Sequence, residues 1–347
     1  MTGGAVFERE ILEQALVTRS QATERTEEVR RAAAAITERG PAGFVIAARG
    51  TSDHAATYAK YLLEMRNHTV VSLAAPSAFS LYHEPPRVDR FCVIGISQSG
   101  ASVDICSVVE EARRQGALTI AITNDVGSRL GQAADHVLAL GAGRERSVPA
   151  SKTYTATLYL LAMLSDALTP DEAFAAGLRR VPEAIQQVLD SWRRDDVVAR
   201  LAEALEAPRL AVLGRGFHLA TAQEIALKVM ETSYAVAEAR SVADFQHGPL
   251  AIIEPGFPVL LLEAEGPALA EMRALAGQLR GLGALVANFT DQDQPGPLTW
   301  ALPFGLPEPL TPIPFAVAGQ LLALAIARRR GYDPDQPRSL RKVTITR

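Results

Sequence analysis

The sequence predicts an α/β protein of two tandem domains, each a mostly parallel, doubly wound sheet flanked by helices, the second a duplicate of the first. Three observations predict it. Short apolar runs alternate with amphipathic helical patterns, the order that builds parallel sheets with crossover helices. The 347 residues suffice for two domains of ordinary size. The second half also repeats the first at a nearly constant spacing.

Taken in order, residues 1–42 read as an N-terminal helical segment packing on the first domain. That domain, residues 43–170, starts with the run Gly43 to Ala48 and a helix near Asp53 to Arg66. Phe91 to Ile96 and Ser102 to Gln115 follow, then Leu118 to Thr123 and a helix near Ser128. Residues 171–196 read as a helical linker holding the domain boundary. In the second domain, residues 197–330, PRLAVLGRGFHLATAQEIALKVME echoes GFVIAARGTSDHAATYAKYLLE of the first. PVLLLEAEGPALAEMRALAGQLRGLGALVANFT likewise echoes FCVIGISQSGASVDICSVVEEARRQGALTIAIT. Arg215 lies 166 residues after Arg49, Gly283 lies 167 after Gly116, and His247 lies 164 after His83. The apolar run Phe315 to Ala327, interrupted by Gln320, is shorter than the roughly 20 residues of a membrane span and reads as a buried helix. Residues 331–347, with Pro334 and Pro337, are expected to form an extended tail.

Composition narrows the function. A net charge of −4 gives no electrostatic support for a nucleic-acid partner, and Arg328-Arg329-Arg330 reads as a solvated helix end. Cys92 and Cys106 have neither CxxC spacing nor a disulfide framework, and the N-terminus lacks the apolar core of a signal peptide. The expected setting is a reducing cytoplasm, with no membrane partner. Six histidines include no HExxH, so no metal and no cofactor are expected.

The chemistry sits at the strand ends. Phe91 to Asp104, FCVIGISQSGASVD, ends an apolar strand in Ser97, Gln98, Ser99, Gly100, Ala101 and Ser102 just before a helix. In a parallel sheet, ligands bind outside the carboxyl ends of the strands, where a helix start offers backbone N–H groups and a positive dipole end. The serines add hydroxyls, Gln98 adds an amide, and Gly100 lets a ligand approach the backbone. This is a phosphate cradle of neutral donors; the alternative is a helix N-cap with spare serines. A second loop, Arg49-Gly50-Thr51-Ser52-Asp53, follows the first strand in the same way. Its repeat, Arg215-Gly216-Phe217-His218, has lost the hydroxyls, and Glu265-Gly266-Pro267 replaces the serine loop, so one half is expected to bind phosphate and the other not. Glu224, Lys228 and Glu231, spaced i, i+4, i+7, share one helix face, which on helix statistics alone reads as a solvated salt-bridge stripe. His247, in the turn DFQHGPL, and Lys342, in the tail, read by themselves as a loop residue and a surface lysine. Gly141 to Thr153 is a candidate lid.

Together, the segments EREILEQ, RGTS, SQSG, ERSVPASKTYT, LGRG, ALKVMETSYAVAEA, QHGPLA and DQPRSLRKVT resemble the sugar isomerase (SIS) domain proteins almost end to end. The nearest likeness is to the isomerase half of glucosamine-6-phosphate synthase and its stand-alone relatives, glucosamine-6-phosphate deaminases included. The resemblance implies that Thr51, Ser52, Ser97, Gln98, Ser99 and Ser102 hold the phosphate of a small-molecule sugar phosphate. It implies that Glu231 moves a proton between C1 and C2, with Lys228 one turn away, that His247 assists ring opening, and that Lys342 engages the open-chain carbonyl. In relatives the histidine reaches in from a neighbouring subunit, so a homodimer is expected. Val148, Ala150 and Ser151 would line the sugar. Two departures shape the reaction. Met1-Thr2 leads straight into the isomerase portion, with no glutaminase domain or terminal cysteine, so glutamine-dependent synthesis is not expected. The synthase-type loop V-A-S-T-K reads Val148-Pro149-Ala150-Ser151-Lys152, which removes a hydroxyl and stiffens the loop, as in deaminase-like members. The implied reaction is deamination of glucosamine 6-phosphate to fructose 6-phosphate and ammonia. The alternatives are another phosphosugar isomerase, a fructosamine-phosphate deglycase, or a non-catalytic sugar-phosphate sensor.

Overall fold

The computed structural model describes residues 3–340 and 342. They form two compact units: residues 16–145, 152–179 and 342 make the first, and residues 3–15, 146–151 and 180–340 make the second.

The first unit is built on five parallel strands, β1 (Phe44–Ala47), β2 (Val71–Leu73), β3 (Cys92–Ile96), β4 (Leu118–Thr123) and β5 (His136–Ala139), in the order β2-β1-β3-β4-β5. Strands β1 and β3 are buried along their whole length, as a sheet covered on both faces requires. One face, including Val45, Ala47 and Val93, packs on Ile105, Val108, Val109 and Ala112 of helix Val103–Arg114. Helix Lys152–Leu168, buried from Lys152 to Ser165, packs between helices Thr51–Arg66 and Thr26–Arg39. The chain reverses direction across the sheet between β1 and β3, and both loops leaving these strands open at that switch point.

The second unit repeats the plan. Strands β6 (Arg209–Gly214), β7 (Val236–Ser241), β8 (Pro258–Glu263), β9 (Leu285–Thr290) and β10 (Thr299–Ala301) are parallel in the order β7-β6-β8-β9-β10, the same spatial order as the first sheet. Gly116 (φ 86°) and Gly283 (φ 84°) make matching left-handed turns before β4 and β9. The third repeat pair is only approximate, because His83 is left-handed (φ 55°) and His247 is not (φ −91°). The apolar helix Pro312–Arg329 extends through a preceding 3-10 turn to 22 residues, long enough to cross a membrane. Its most apolar 18-residue stretch is 94% buried inside the fold, and it acts as a core helix.

Two sequence expectations are corrected. Helix Thr26–Arg39 belongs to the first unit, but helix Ala5–Leu12 groups with the second, where Phe7 and Ile11 are fully buried. The tail is turned rather than extended: Asp335 accepts from the Val6 and Phe7 amides at 2.8 and 2.9 Å, and Asp333 from Gly4 at 2.7 Å. These carboxylates satisfy the open N-terminus of helix Ala5–Leu12, whose own N-cap is a glycine, and the dipole there favours negative charge. Arg338 stacks on Tyr234 and Tyr332, 4.6 and 5.2 Å from the ring centroids, and its N–H donates to the Tyr234 hydroxyl. Tail residues 341 and 343–347 lie outside the described residues.

Candidate functional site

In the first unit, Ser97, Gln98, Ser99 and Gly100 form a tight turn after β3, closed by Gly100 N–H donating to the Ser97 carbonyl at 3.2 Å. Gly100 is left-handed (φ 62°), and a Cβ there would come within 1.9 Å of the Ser128 hydroxyl, so the turn closes only on glycine. Ser128 caps its own short helix by accepting from Gly131. Ser102 behaves differently. It occupies the N-cap of helix Val103–Arg114, but its hydroxyl makes no capping bond. Helix Thr51–Arg66 starts after Gly50 (φ 57°), which has no side chain to cap with, and Thr51 and Ser52 are half-buried in its first turn. Two helix starts therefore converge on one switch point with no side-chain cap, which is the arrangement that binds an anion. A helix capped by spare serines is not what this loop forms.

The two loops are tied together. Arg49, just after β1, donates from Nε and Nη2 to Asp104 Oδ2, both at 3.1 Å, in the first turn of the opposite helix, and Ser80 Oγ donates to Asp104 Oδ1. The second unit carries the same strut: Arg215, just after β6, pairs with Glu271 in the first turn of helix Leu269–Gly281 at 3.1 Å and donates to Ser241 Oγ at 3.2 Å. The loops around this second strut do not suit phosphate. Phe217 and His218 fill the loop after β6 and are buried. His218 faces Thr311 Oγ1 through Nε2 at 2.9 Å, and burial pushes its pKa down to about 3, so the ring is neutral. Beyond β8 and β9 stand Glu265, Asp291 and Glu308. Burial raises the pKa of Asp291 and of Glu308, the latter with a further push from Asp291. Carboxylates occupy the place where the first unit has Gln98 and Asn124.

The stripe on helix His218–Ser233 is not solvated. Lys228 is fully buried and Glu224 is 1% exposed; the ammonium lies 3.4 Å from Glu224 Oε1 and 2.5 Å from Glu231 Oε2. The helix is covered because Pro312–Arg329 packs closely on it. Gly319 permits this approach, since a Cβ there would meet Ile225 at 2.2 Å. Glu231 keeps 22% of its side-chain surface. The carboxylate is therefore not isolated by burial, as a buried base would be, but presented at the rim by a buried lysine.

Lys342 donates to Glu145 Oε2 at 2.7 Å, and the Glu145 side chain is fully buried, accepting also from Thr153 N–H at 3.1 Å and Thr153 Oγ1 at 2.8 Å. The tail lysine is thus a held residue rather than free surface. Val148 and Ala150 are half-buried and Ser151 is buried in the stretch of residues 146–151, which belongs to the second unit. Both ends of that stretch are hydrogen-bonded, to Glu10 at Arg146 and Ser147 and to Gln320 at Ser151, so it runs as a strap anchored at both ends. His247 lies exposed at the end of the short helix Val242–Gln246. The first unit thus gathers the serine cradle and the Lys342–Glu145 pair, and the second gathers the Glu224–Lys228–Glu231 group, the strap and His247. Sequence reasoning missed Asp104, Glu145, Glu10 and Gln320. For Asp104 and Gln320 the signal available was a lone polar residue in an otherwise apolar or small-residue context; Glu10 and Glu145 sit among charged neighbours and carried no such signal.

Fold and site define a duplicated doubly wound α/β protein with two uncapped helix starts and a serine-rich turn at the switch point of one half and a lysine-held carboxylate in the other. The chain belongs to the SIS domain family, whose model matches residues 44–166 and 205–295. It is 35% identical over 316 residues to the isomerizing glutamine–fructose-6-phosphate aminotransferase of Thermococcus kodakarensis, covering 87% of this chain and 52% of that protein. The chain therefore spans about half the length of that curated relative. A structure from Silicibacter pomeroyi, provisionally described as a phosphosugar isomerase, superposes with a TM-score of 0.83 at 33% identity, covering 95% of this chain and 99% of the other. The glucosamine-6-phosphate deaminase of Thermotoga maritima superposes with a TM-score of 0.72 over 95% of this chain and all of its own. At 21% identity it shares the fold.

Proposed function

We propose that this chain is an amino-sugar-phosphate deaminase with isomerase chemistry, converting glucosamine 6-phosphate and water to fructose 6-phosphate and ammonia. The observation that carries this reading is Glu231, held at 2.5 Å by the buried Lys228 with its carboxylate at the rim. Thr51, Ser52, Ser97, Gln98, Ser99 and Ser102 hold the phosphate. In the ring-opened sugar, Glu231 removes the C2 proton to leave an enolamine and returns it to C1, which leaves an imine at C2. Water adds to the imine and ammonia departs. One base serving two adjacent carbons suits a carboxylate. Lys342, fixed by Glu145, stands at the carbonyl end, and Val148, Ala150 and Ser151 line the sugar. His247, exposed on this chain, serves ring opening as a residue donated to a second subunit. Glu265, Asp291 and Glu308, beyond β8 and β9, disfavour a second phosphate in the equivalent loops of the second unit.

The test is ammonia and fructose 6-phosphate release from glucosamine 6-phosphate in the absence of glutamine. The wild type releases both, and Glu231→Gln loses about 10²- to 10⁴-fold in turnover, the scale of a general base. A Glu231→Gln enzyme as fast as wild type removes the proton-transfer role. A second reading, a phosphosugar aldose–ketose isomerase, is favoured by the likeness to the Silicibacter pomeroyi protein. It uses the same cradle and base without the imine. It takes the place of the first if wild type interconverts phosphosugars that lack an amino group and releases no ammonia. A deglycase instead releases its amine from a fructosamine phosphate, and a sensor binds sugar phosphate without consuming it.

A further inference from the structure

Helices Ala5–Leu12 and Pro312–Arg329 are apolar where they meet the core, yet three polar side chains are buried in and beside them: Glu10 (2% exposed), Gln14 and Gln320 (both fully buried). Burying a carboxylate and two amides is costly unless each is satisfied. All three lead to one place, the strap of residues 146–151. Glu10 accepts from the Arg146 amide through Oε1 at 2.6 Å and from the Ser147 amide through Oε2 at 3.1 Å. At the far end Gln320 Nε2 donates to the Ser151 carbonyl at 3.4 Å, and Gln14 Nε2 fixes Gln320 by donating to its Oε1 at 2.8 Å and to the Ile11 carbonyl at 3.0 Å. The strap has no regular structure of its own, so these bonds set its path. Between the two anchors lie Val148, Pro149 and Ala150, with Pro149 fixing the backbone further.

Helix Ala5–Leu12 does not need Glu10 in order to dock. Phe7 and Ile11 bury it, Asp333 and Asp335 satisfy its N-terminus, and Glu8 pairs with Arg328. We propose that Glu10, Gln14 and Gln320 are positioning residues that hold the Val148–Ser151 strap, and through it the sugar end of the bound phosphosugar, while the serine cradle alone governs the phosphate. The proposal rests on the strap being the sugar-lining segment of the proposed function.

The experiment measures by calorimetry the affinities of the full chain for fructose 6-phosphate and for inorganic phosphate. The proteins compared are the wild type, Glu10→Gln, Gln320→Met and the control Glu8→Gln. Wild type binds the sugar phosphate more tightly than inorganic phosphate. Glu10→Gln sets an amide N–H against a backbone N–H, and Gln320→Met removes the donor to Ser151. Each reduces that preference about tenfold, the scale of a lost charge-assisted or buried hydrogen bond, while phosphate affinity is unchanged. Glu8→Gln leaves the preference intact. Should Glu10→Gln fail to fold, Gln320→Met carries the same expectation. A preference unmoved in the folded variants, or lowered equally by Glu8→Gln, overturns the positioning role alone. A wild type that does not distinguish the two ligands overturns the sugar-lining reading as well.

Discussion

Lys228 has no exposed surface, yet it serves two carboxylates, Glu224 deep in the unit and Glu231 at the rim. Removing one member of a buried ionic group leaves the others uncompensated, which typically costs about 3–5 kcal/mol. Lys228→Met is therefore expected to lower the urea midpoint sharply, and adding Glu224→Gln should return part of it. A single variant as stable as wild type would show that the group is not coupled. Gly100→Ala forces a Cβ into Ser128 at a left-handed position, so it should abolish the rise in melting temperature that inorganic phosphate gives the wild type. The i, i+4, i+7 spacing of the stripe was legible in the sequence. Its burial was not, because spacing identifies a face without saying what covers it, and the cover is a helix some ninety residues further on that packs against Ile225 through its Gly319.

At the scale of elements, the inner strands β1, β3 and β4 were legible almost to the residue and β6, β8 and β9 through their echo of them, because buried parallel strands are continuous apolar runs; the edge strands β2, β5, β7 and β10, only partly buried, carry no such run and were not read. The cradle was legible as hydroxyls at a strand end. What the pattern could not encode is that Ser102, at the N-cap position, makes no side-chain capping bond. The tail was misread from its prolines: Asp333 and Asp335 bend it by binding amides more than three hundred residues away in sequence. The start of helix His218–Ser233 yields a pH prediction. Buried His218 has a folded-state pKa of about 3, below its value in the unfolded chain near 6.5, so the unfolded state binds more protons between those limits. Stability should fall as pH drops from about 6.5 towards 3, by at most about 1.4 kcal/mol per pH unit from this group. In thermal melts across that range, His218→Gln should show a shallower slope than wild type; an equal slope would assign the acid sensitivity elsewhere.

Across the whole molecule, the chain passes from one unit to the other five times, after residues 15, 145, 151, 179 and 340. The fourth passage falls inside the continuous helix Glu172–Arg194. Duplication was readable from constant offsets, but this exchange of short segments was not, since it depends on contacts between residues distant in sequence. A fragment beginning at Val197 keeps all five strands of the second sheet and loses helix Ala5–Leu12 and the strap. It should therefore melt without a cooperative transition, whereas a sharp transition at the parent temperature would show the second sheet to be self-sufficient. The paired struts bear on descent. Arg49 with Asp104 and Arg215 with Glu271 occupy equivalent places in two halves whose loops otherwise diverge, one towards hydroxyls and the other towards acids. A trait shared by both copies dates from before the copying. The ancestor already braced its open rim with an arginine, and ligand preference was written afterwards onto a frame common to both descendants.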